Sequence, residues 1–257
     1  MKHLPGVATS DPSWQLRRYE INLVSKKLAS NGTLLDVGSG VGFVPRYFHK
    51  IGHKVISVDY PGAGGFDALK MLMDMGIQGH YVHVGVDTLP LPDNSVDVVF
   101  VGNVIEHLPN SPRQFMADLK RVIKPGGDMV MDTKNSVDLK TRLKLLCGIS
   151  NWAPLMSYYH MDFNPHHHKE FTLAELGHLF ELSGFRNIER IAEEFFFRLS
   201  LKKFKTWQAM GAKPGESSQF GNGFNPFHPY EYARLVFLLI AKTFPNLRSE
   251  IIVIGQK

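Results

Sequence analysis

One short segment, residues 34–42, constrains the fold of this chain more than any other. Its sequence is LLDVGSGVG, in which an apolar strand ends in Asp36 and glycines follow at every second position, Gly38, Gly40 and Gly42. Because glycine has no Cβ, this spacing lets a strand turn sharply into a helix and leaves bare backbone against which a flat ligand can lie. The dinucleotide-binding fingerprint places its third glycine three residues after the second, and Phe43 stands there instead. The segment therefore predicts a cofactor-binding turn of another kind, with an ordinary loop as the alternative.

An acid at the end of a second predicted strand supports the ligand-binding interpretation. After a helix predicted from about Val41 to Ile51, the sequence GHKVISVDY predicts a buried strand over Lys54–Asp59. In doubly wound folds, an acid at this strand tip, about 20 residues after the glycine turn, accepts hydrogen bonds from the ribose hydroxyls. Asp59 stands at that place, and its alternative role is that of a turn former in the sequence DYPG. Its distance from Asp36 favours the ligand role.

Two further segments complete an ordered set of motifs. They are HVGVDTLPLPDNSVDVVFVGNVIEHL, residues 83–108, and KPGGDMVMDT, residues 124–133. Together with residues 34–42, they resemble the motifs of the class I S-adenosylmethionine (SAM) dependent methyltransferases. The resemblance implies an α/β fold, with a Rossmann-like, seven-stranded, mostly parallel sheet whose last strand is antiparallel and whose two faces are covered by helices. It also implies SAM as cofactor and S-adenosylhomocysteine as product.

The resemblance further implies which residues contact the cofactor. They lie in the glycine turn, at the ends of the second and fourth strands and in the loop after the third: Asp36, Gly38, Ser39, Gly40, Gly42, Asp59, Tyr60, Val86, Asp87 and Asn103. The chain departs from the family at one point, because alignment on Leu89 and Pro90 places Gly85 where the family has an adenine-binding acid. We therefore assign that role to Asp87, helped by the backbone at Val86.

The rest of the chain is consistent with one domain over residues 1–257 that carries two insertions, at about 135–170 and 195–248. Class I enzymes build substrate lids at these places. An N-terminal helix from about Trp14 to Ala29 is expected to cover the cofactor mouth. Capping boxes are predicted at 111–114 and 172–175, where Ser or Thr is followed three residues later by Gln or Glu.

Composition limits the location and the partners. The single cysteine, Cys147, excludes an internal disulfide and fits a reducing cytoplasm. No apolar run approaches the ~20 residues that cross a bilayer, and no secretory signal is recognised. The net charge of +5 is not gathered into basic blocks, so it permits an anionic substrate without requiring nucleic acid. We expect a small-molecule or glycan acceptor and no DNA partner.

Histidines are the candidate catalytic residues. His107 follows the fourth predicted strand in NVIEHL, a segment that resembles the EHL of many family members, including those that act on quinones. A second group, His160, His166, His167 and His168, lies in the first insertion, which is expected to reach the methyl-transfer face. Because imidazole titrates near neutral pH, any of them suits proton removal from a hydroxyl group. The alternatives are packing or capping for His107 and a solvated loop for the others.

A metal-dependent alternative rests on a narrower resemblance. The small-RNA terminal 2′-O-methyltransferases bind a divalent ion through E-x-x-E-H after the fourth strand and H-x-H in the next insertion. This chain has Asn103, Glu106 and His107 in the first pattern, so one carboxylate is missing. The first choice is therefore a metal-free enzyme that O-methylates a small-molecule, glycan or lipid-intermediate hydroxyl. A metal-dependent RNA 2′-O-methyltransferase and a non-catalytic SAM-binding subunit are the alternatives.

Overall fold

The computed structural model describes residues 12–60, 68–151, 159, 167–195 and 229–257. Seven strands form one sheet in the order β3-β2-β1-β4-β5-β7-β6. The strands are β1 Thr33–Val37, β2 Lys54–Asp59, β3 Gln78–Tyr81, β4 Val96–Gly102, β5 Ile123–Lys134, β6 Arg186–Glu193 and β7 Glu250–Gln256. The described helices are α1 Pro12–Lys27, α2 Phe43–Lys50, α3 Ala68–Asp74, α4 Pro112–Val122, α5 Leu139–Leu146, α6 Leu173–Leu182 and α7 Pro229–Thr243.

The strand directions confirm the predicted sheet. β1 to β5 pair in parallel, whereas β7 lies antiparallel between β5 and β6. Parallel strands covered on both faces are expected to be continuously apolar, and all five residues of β1 are buried. Alternate residues divide between two core clusters, so Leu35 packs on one face of the sheet and Leu34 on the other.

Local sequence signals fix the helix ends. Thr172 forms the predicted capping box, since it accepts the N–H of Glu175 and the Glu175 carboxylate accepts the N–H of Thr172. The box predicted at Ser111 is different: Ser111 caps α4, but its hydroxyl accepts the N–H of Arg113, one residue earlier than expected. Both capping residues still begin a helix where the sequence predicts one.

The topology brings a terminus of every strand to one edge of the sheet. β1 to β5 all run toward this edge and end there, β6 also ends there, and the antiparallel β7 begins there, with Glu250 paired to Lys134 of β5. In open α/β sheets ligands bind beyond the carboxyl ends of the strands. The predicted site residues follow these termini, so the fold places them together.

No helix within the described ranges is long and apolar enough to cross a membrane.

Candidate functional site

The glycine turn after β1 is shaped by its close neighbours. Gly38, Gly40 and Gly42 all have positive φ, a conformation that other residues adopt only at a cost. A Cβ added at Gly38 would lie 2.2 Å from the Cγ2 of Val104, so this glycine lets the turn pack against the loop after β4. At Gly40 an added Cβ would meet nothing within 4 Å. The turn is therefore tightly packed at Gly38 and open at Gly40, where a ligand can approach the backbone.

Asp59 connects the end of β2 to this turn. One carboxylate oxygen accepts the N–H of Gly40 at 2.7 Å, and the other accepts the N–H of Tyr60 at 2.7 Å. Burial raises the pKa of Asp59, and the two backbone hydrogen bonds oppose that rise. Each oxygen retains a further lone pair, so the carboxylate can accept a hydroxyl hydrogen bond while it holds the turn.

The other predicted cofactor residues lie in the segments that follow β2 and β3. Tyr60 packs edge-on against His83, with ring centroids 4.4 Å apart. Val86 is exposed, and the carboxylate of Asp87 accepts the N–H of His83 at 2.9 Å, which closes the loop after β3. Their roles in cofactor binding stay predictions.

Asp36 and Asn103 lie deeper beneath the opening. Burial raises the pKa of Asp36 to about 7. Asn103, which has a positive φ, donates its side-chain N–H to Asp132 at 2.6 Å. Neither side chain is thus an exposed ligand group, and Asn103 directly follows the end of β4. Their roles in cofactor binding stay predictions.

A short 3-10 turn, Ile105–His107, follows β4 and carries two candidate side chains, Glu106 and His107. Glu106 is only 1% exposed, and burial raises the pKa of its carboxyl group. His107 is half-buried and contacts the ring of His167 edge-on, with centroids 4.8 Å apart. The backbone N–H of His168 donates to the carbonyl of Glu106 at 2.6 Å. The turn and the end of the first insertion therefore form one local structure.

His167 is oriented by a carboxylate from its own segment. Its Nδ1 lies 2.7 Å from an oxygen of Glu170, and the other oxygen of Glu170 accepts the side-chain N–H of Asn151 at 2.9 Å. These contacts leave the Nε2 atom of His167 for other interactions. The arrangement is that of an imidazole held in one orientation by a fixed carboxylate.

The structure therefore brings some of the predicted histidines together. His107 and His167 contact each other, whereas His168 is exposed and joins the cluster through its backbone. His160 and His166 lie outside the described residues, as do parts of both insertions. Which histidine acts in catalysis stays a prediction.

Several buried acids are functional candidates that sequence reasoning missed. Glu20 accepts two hydrogen bonds from Arg17 at 2.8 Å. Asp132 is fully buried, and burial together with the charge of Glu20 raises its pKa well above the ordinary value. Burial also raises the pKa of Glu250 to about 8. The available signal was an acid interrupting an apolar run, as in MVMDT and EIIVIG.

A sheet of this order, with a glycine turn after β1 and an acid at the end of β2, is the architecture of the class I SAM-dependent methyltransferases. A family model described as "Methyltransferase domain" matches residues 35–131, and this part of the chain is similar to that family. The open face at Gly40 and the carboxylate of Asp59 fit the adenosyl ribose of SAM, the cofactor of the family. Asp59, Gly38 and Gly40 would hold it.

Individual relatives agree with this assignment. The chain is 31% identical over 185 residues to a protein of Mycolicibacterium smegmatis described as a probable SAM-dependent methyltransferase, covering 71% of this chain and 62% of that protein. It is 31% identical over 120 residues to a ubiquinone biosynthesis O-methyltransferase of Bradyrhizobium, covering 46% of each. The chain thus spans less than two thirds of these relatives. A SAM-dependent methyltransferase from Archaeoglobus fulgidus shares the fold, with a TM-score of 0.59, 16% identity and coverage of 95% and 94%.

Substitution of Asp59 tests the cofactor site, because its carboxylate is predicted to bind the ribose of SAM. We expect Asp59→Ala to weaken SAM binding ~10- to 100-fold, since a hydrogen bond to a charged group contributes ~1.5–3 kcal/mol. Titration calorimetry measures the change, and circular dichroism shows whether the variant is folded. Asp74→Ala is the matched control, because Asp74 is an exposed acid of α3 paired only with Lys70 in the described contacts. Unchanged affinity in a folded Asp59→Ala protein would exclude the ribose role.

Proposed function

We propose that this protein transfers a methyl group from SAM to a hydroxyl group of a small molecule, glycan or lipid intermediate. The observation that carries the proposal is the contact between two loops: the glycine turn packs on Val104, and the next three residues bring Glu106 and His107 against His167. The predicted cofactor residues and the candidate proton-accepting groups therefore both follow strand ends at one edge of the sheet.

The chemistry needs few groups from the protein. Bound SAM supplies an electrophilic methyl carbon, whose bond to sulfur breaks as its bond to the acceptor oxygen forms. The chain must then hold the acceptor oxygen in line with the methyl–sulfur bond and accept the hydroxyl proton. Positioning alone contributes much of the rate. In the metal-free protein we assign proton removal to an imidazole of the candidate group, His107, His160, His166, His167 or His168. Of these, His167 is the one that Glu170 holds in a fixed orientation.

The relatives support the hydroxyl acceptor. The Bradyrhizobium protein is an O-methyltransferase by name, and the chain is 31% identical to it over 120 residues. A hydroxyl, unlike an amine with a free lone pair, gains much from proton removal at the moment of transfer. The imidazole pair next to the glycine turn suits that need.

The test is S-adenosylhomocysteine formation with a panel of acceptors that carry phenol, sugar or lipid hydroxyl groups. We expect turnover with at least one hydroxyl compound and none with its O-methylated form. Mass spectrometry of the product locates the methyl group on oxygen. Tight SAM binding without turnover on any acceptor would favour the non-catalytic SAM-binding subunit, and methylation at nitrogen would contradict the proposal.

Metal-dependent methylation of an RNA 2′-hydroxyl is the second candidate. One observation favours its metal requirement: Glu106, His107 and His167 place potential ligand atoms within 4.8 Å of one another. Turnover with RNA that is abolished by a chelator would establish this candidate over the first.

A further inference from the structure

The helix α7 is apolar on its outer side as well as on the side that packs against the protein. Residues 235–241, LVFLLIA, form an unbroken apolar run. Leu238 and Ala241 are buried and form a small core cluster with Leu139 of α5. Val236 and Leu239, on the outer side, are 53% and 64% exposed. Because a helix that is hydrophobic all round is normally buried, the outer side of α7 is expected to be covered when the protein works.

The helix α5 extends this exposed surface. Leu139 and Leu143 of α5 pack in the same cluster, and helical spacing places Leu146 on the same side of the helix as both. Leu146 is nevertheless 83% exposed, and the neighbouring Leu145 and Ile149 are 57% and 55% exposed. The apolar stripe of α5 therefore continues beyond its contact with α7. The exposed apolar residues of the two helices and their ends form what we call the outer apolar surface: Leu145, Leu146, Ile149, Val236, Leu239 and Phe244.

The charged residues among these apolar ones are all basic. Residues 139–151 and 232–249 contain lysine and arginine but no aspartate or glutamate. Lys140, Arg142 and Lys242 are exposed in the structure. The nearest acids, Asp138 and Glu231, stand at the starts of the two helices, where the helix dipole favours a negative charge. An apolar surface with basic side chains beside it suits the headgroups and acyl chains of anionic lipids.

A second copy of the chain fits this surface less well than a bilayer does. A two-fold symmetric dimer places the same patch of each subunit against the other. Lysines and arginines would then face lysines and arginines, with no acid of residues 139–151 or 232–249 to pair with them. An anionic bilayer supplies both the opposite charge and the apolar environment. Since no described helix is long and apolar enough to cross a membrane, α7 would lie along the bilayer surface.

The outer apolar surface lies on segments that lead into the candidate site. α5 follows the end of β5 and α7 precedes the start of β7, and these two strand termini are paired at the edge of the sheet where the site residues lie. The side chain of Asn135 joins the two segments by donating to the carbonyl oxygens of Asn246 and Arg248 at 3.0 and 2.8 Å. Asn151, which follows α5, donates to Glu170 of the candidate site. A bilayer held by α5 and α7 would therefore lie close to that site.

We propose that the outer apolar surface binds the protein to the surface of a bilayer that contains anionic lipids. The apolar side chains would enter between the headgroups, and the neighbouring lysines and arginines would contact the lipid phosphates. This binding needs neither SAM nor an acceptor. Its use in the reaction rests on the proposed function: among the acceptor classes given there it selects the lipid intermediate, whose hydroxyl group would be presented at the bilayer surface.

The test is flotation of the untagged full-length chain with lipid vesicles, in the absence of SAM and acceptor. Vesicles of phosphatidylcholine mixed with phosphatidylglycerol are compared with vesicles of phosphatidylcholine alone. We expect binding to the mixed vesicles to be at least ~10-fold tighter than to the neutral ones, because basic side chains are attracted to an anionic surface. Added salt should weaken this binding, since it screens the attraction.

Two sets of variants separate the apolar contribution from the charged one. Leu146→Ser and Leu239→Ser should each weaken binding to the mixed vesicles ~10-fold, since each removes an apolar side chain from the bilayer. Lys140→Gln combined with Lys242→Gln should weaken binding to the mixed vesicles ~10- to 30-fold and leave binding to neutral vesicles unchanged. All four residues are exposed, and circular dichroism shows whether each variant is folded.

Leu182 provides the matched control. It is 73% exposed at the end of α6, a helix that contains no lysine or arginine. The surface of α6 instead carries the pair of His178 and Glu181, which lie 3.1 Å apart. Leu182→Ser removes an equally exposed leucine from a surface without basic residues of its own helix, so it should leave vesicle binding unchanged.

Four results would overturn the proposal. Absence of vesicle binding by a monomeric chain would mean that residues of the same chain outside the described ranges cover the surface. Absence of vesicle binding by a dimer that Leu239→Ser dissociates, as measured by light scattering, would make a second copy the occupant. Binding that folded Leu146→Ser and Leu239→Ser both retain would place the bilayer contact elsewhere. Equal binding to neutral and anionic vesicles would contradict the role of the basic residues.

The same measurements are independent of the proposed function, because no acceptor takes part in them. Failure of every hydroxyl compound in the acceptor panel would contradict O-methylation and leave vesicle binding as measured. Vesicle binding combined with turnover of water-soluble hydroxyl compounds alone would overturn only the assignment of a lipid acceptor.

Discussion

Replacement of His167 by alanine is expected to lower the turnover of a hydroxyl acceptor by ~10²- to 10⁴-fold, the usual contribution of a general base. The reason is geometric: Glu170 fixes the ring through Nδ1, and the ring lies against His107 in the turn that follows β4. SAM binding should change little, because the glycine turn and Asp59 do not contact this ring in the described structure. Turnover and SAM affinity are measured on the same preparation.

The pH profile separates proton transfer from a structural role. In the metal-free enzyme, turnover that depends on a deprotonated base should rise with pH, and this rise should disappear in the variant that lacks the base. His178→Ala is the matched control and should retain normal turnover. If His107→Ala, His167→Ala and His168→Ala all keep nearly full turnover, a base among the described members of the candidate group is excluded.

The same assays in the presence of a chelator then show whether the imidazoles act as a base or as metal ligands. A metal-free enzyme with a histidine base keeps its turnover in chelator and loses it in His167→Ala. A metal-dependent enzyme loses turnover in both and regains it when Zn²⁺ or Co²⁺ is restored to the wild-type chain. The two mechanisms therefore give different results in one set of assays.

The fold could be predicted because its signals are local. The strand over Lys54–Asp59 is found with the predicted ends, since an apolar run bounded by turn residues carries that information in its own sequence. The same holds for the helix that Thr172 begins, because a capping box is complete within four residues. The antiparallel strands at the sheet edge followed from the family resemblance.

The candidate site around His107 and His167 could not be predicted in the same way, because its contacts join segments that are far apart in the sequence. Glu106 and Glu170 are 64 positions apart, and nothing in either local sequence indicates that His167 lies between them. The burial of Glu106 also depends on the tertiary structure. The sequence identified Glu106, His107 and the histidine cluster as candidates, but it did not identify Glu170, the carboxylate that orients His167.

The buried acids also predict how stability depends on pH. Burial raises the pKa of Glu250 from 4.5 to about 8 in the folded chain, and it raises the pKa of Asp36 to about 7. Between about pH 4.5 and 8 the folded chain keeps the Glu250 proton that the unfolded chain has released. Because the folded state then binds more protons, the free energy of unfolding falls as pH rises through this range and levels off above it.

Glu250→Gln is therefore expected to stabilise the protein at alkaline pH and to change its stability little near pH 4. At about 1.4 kcal/mol per pKa unit, a rise from 4.5 to about 8 makes the gain at pH 9 of the order of 5 kcal/mol. It arises because the amide stays neutral where the carboxylate must ionise in a buried position. Urea unfolding of both proteins at several pH values measures it. Glu189→Gln, a change on the neighbouring strand at a residue with half its side chain exposed, is the control and should give a difference that does not vary with pH. If the curves for Glu250→Gln and the wild type run parallel from pH 5 to 9, Glu250 is not the buried, protonated acid described above.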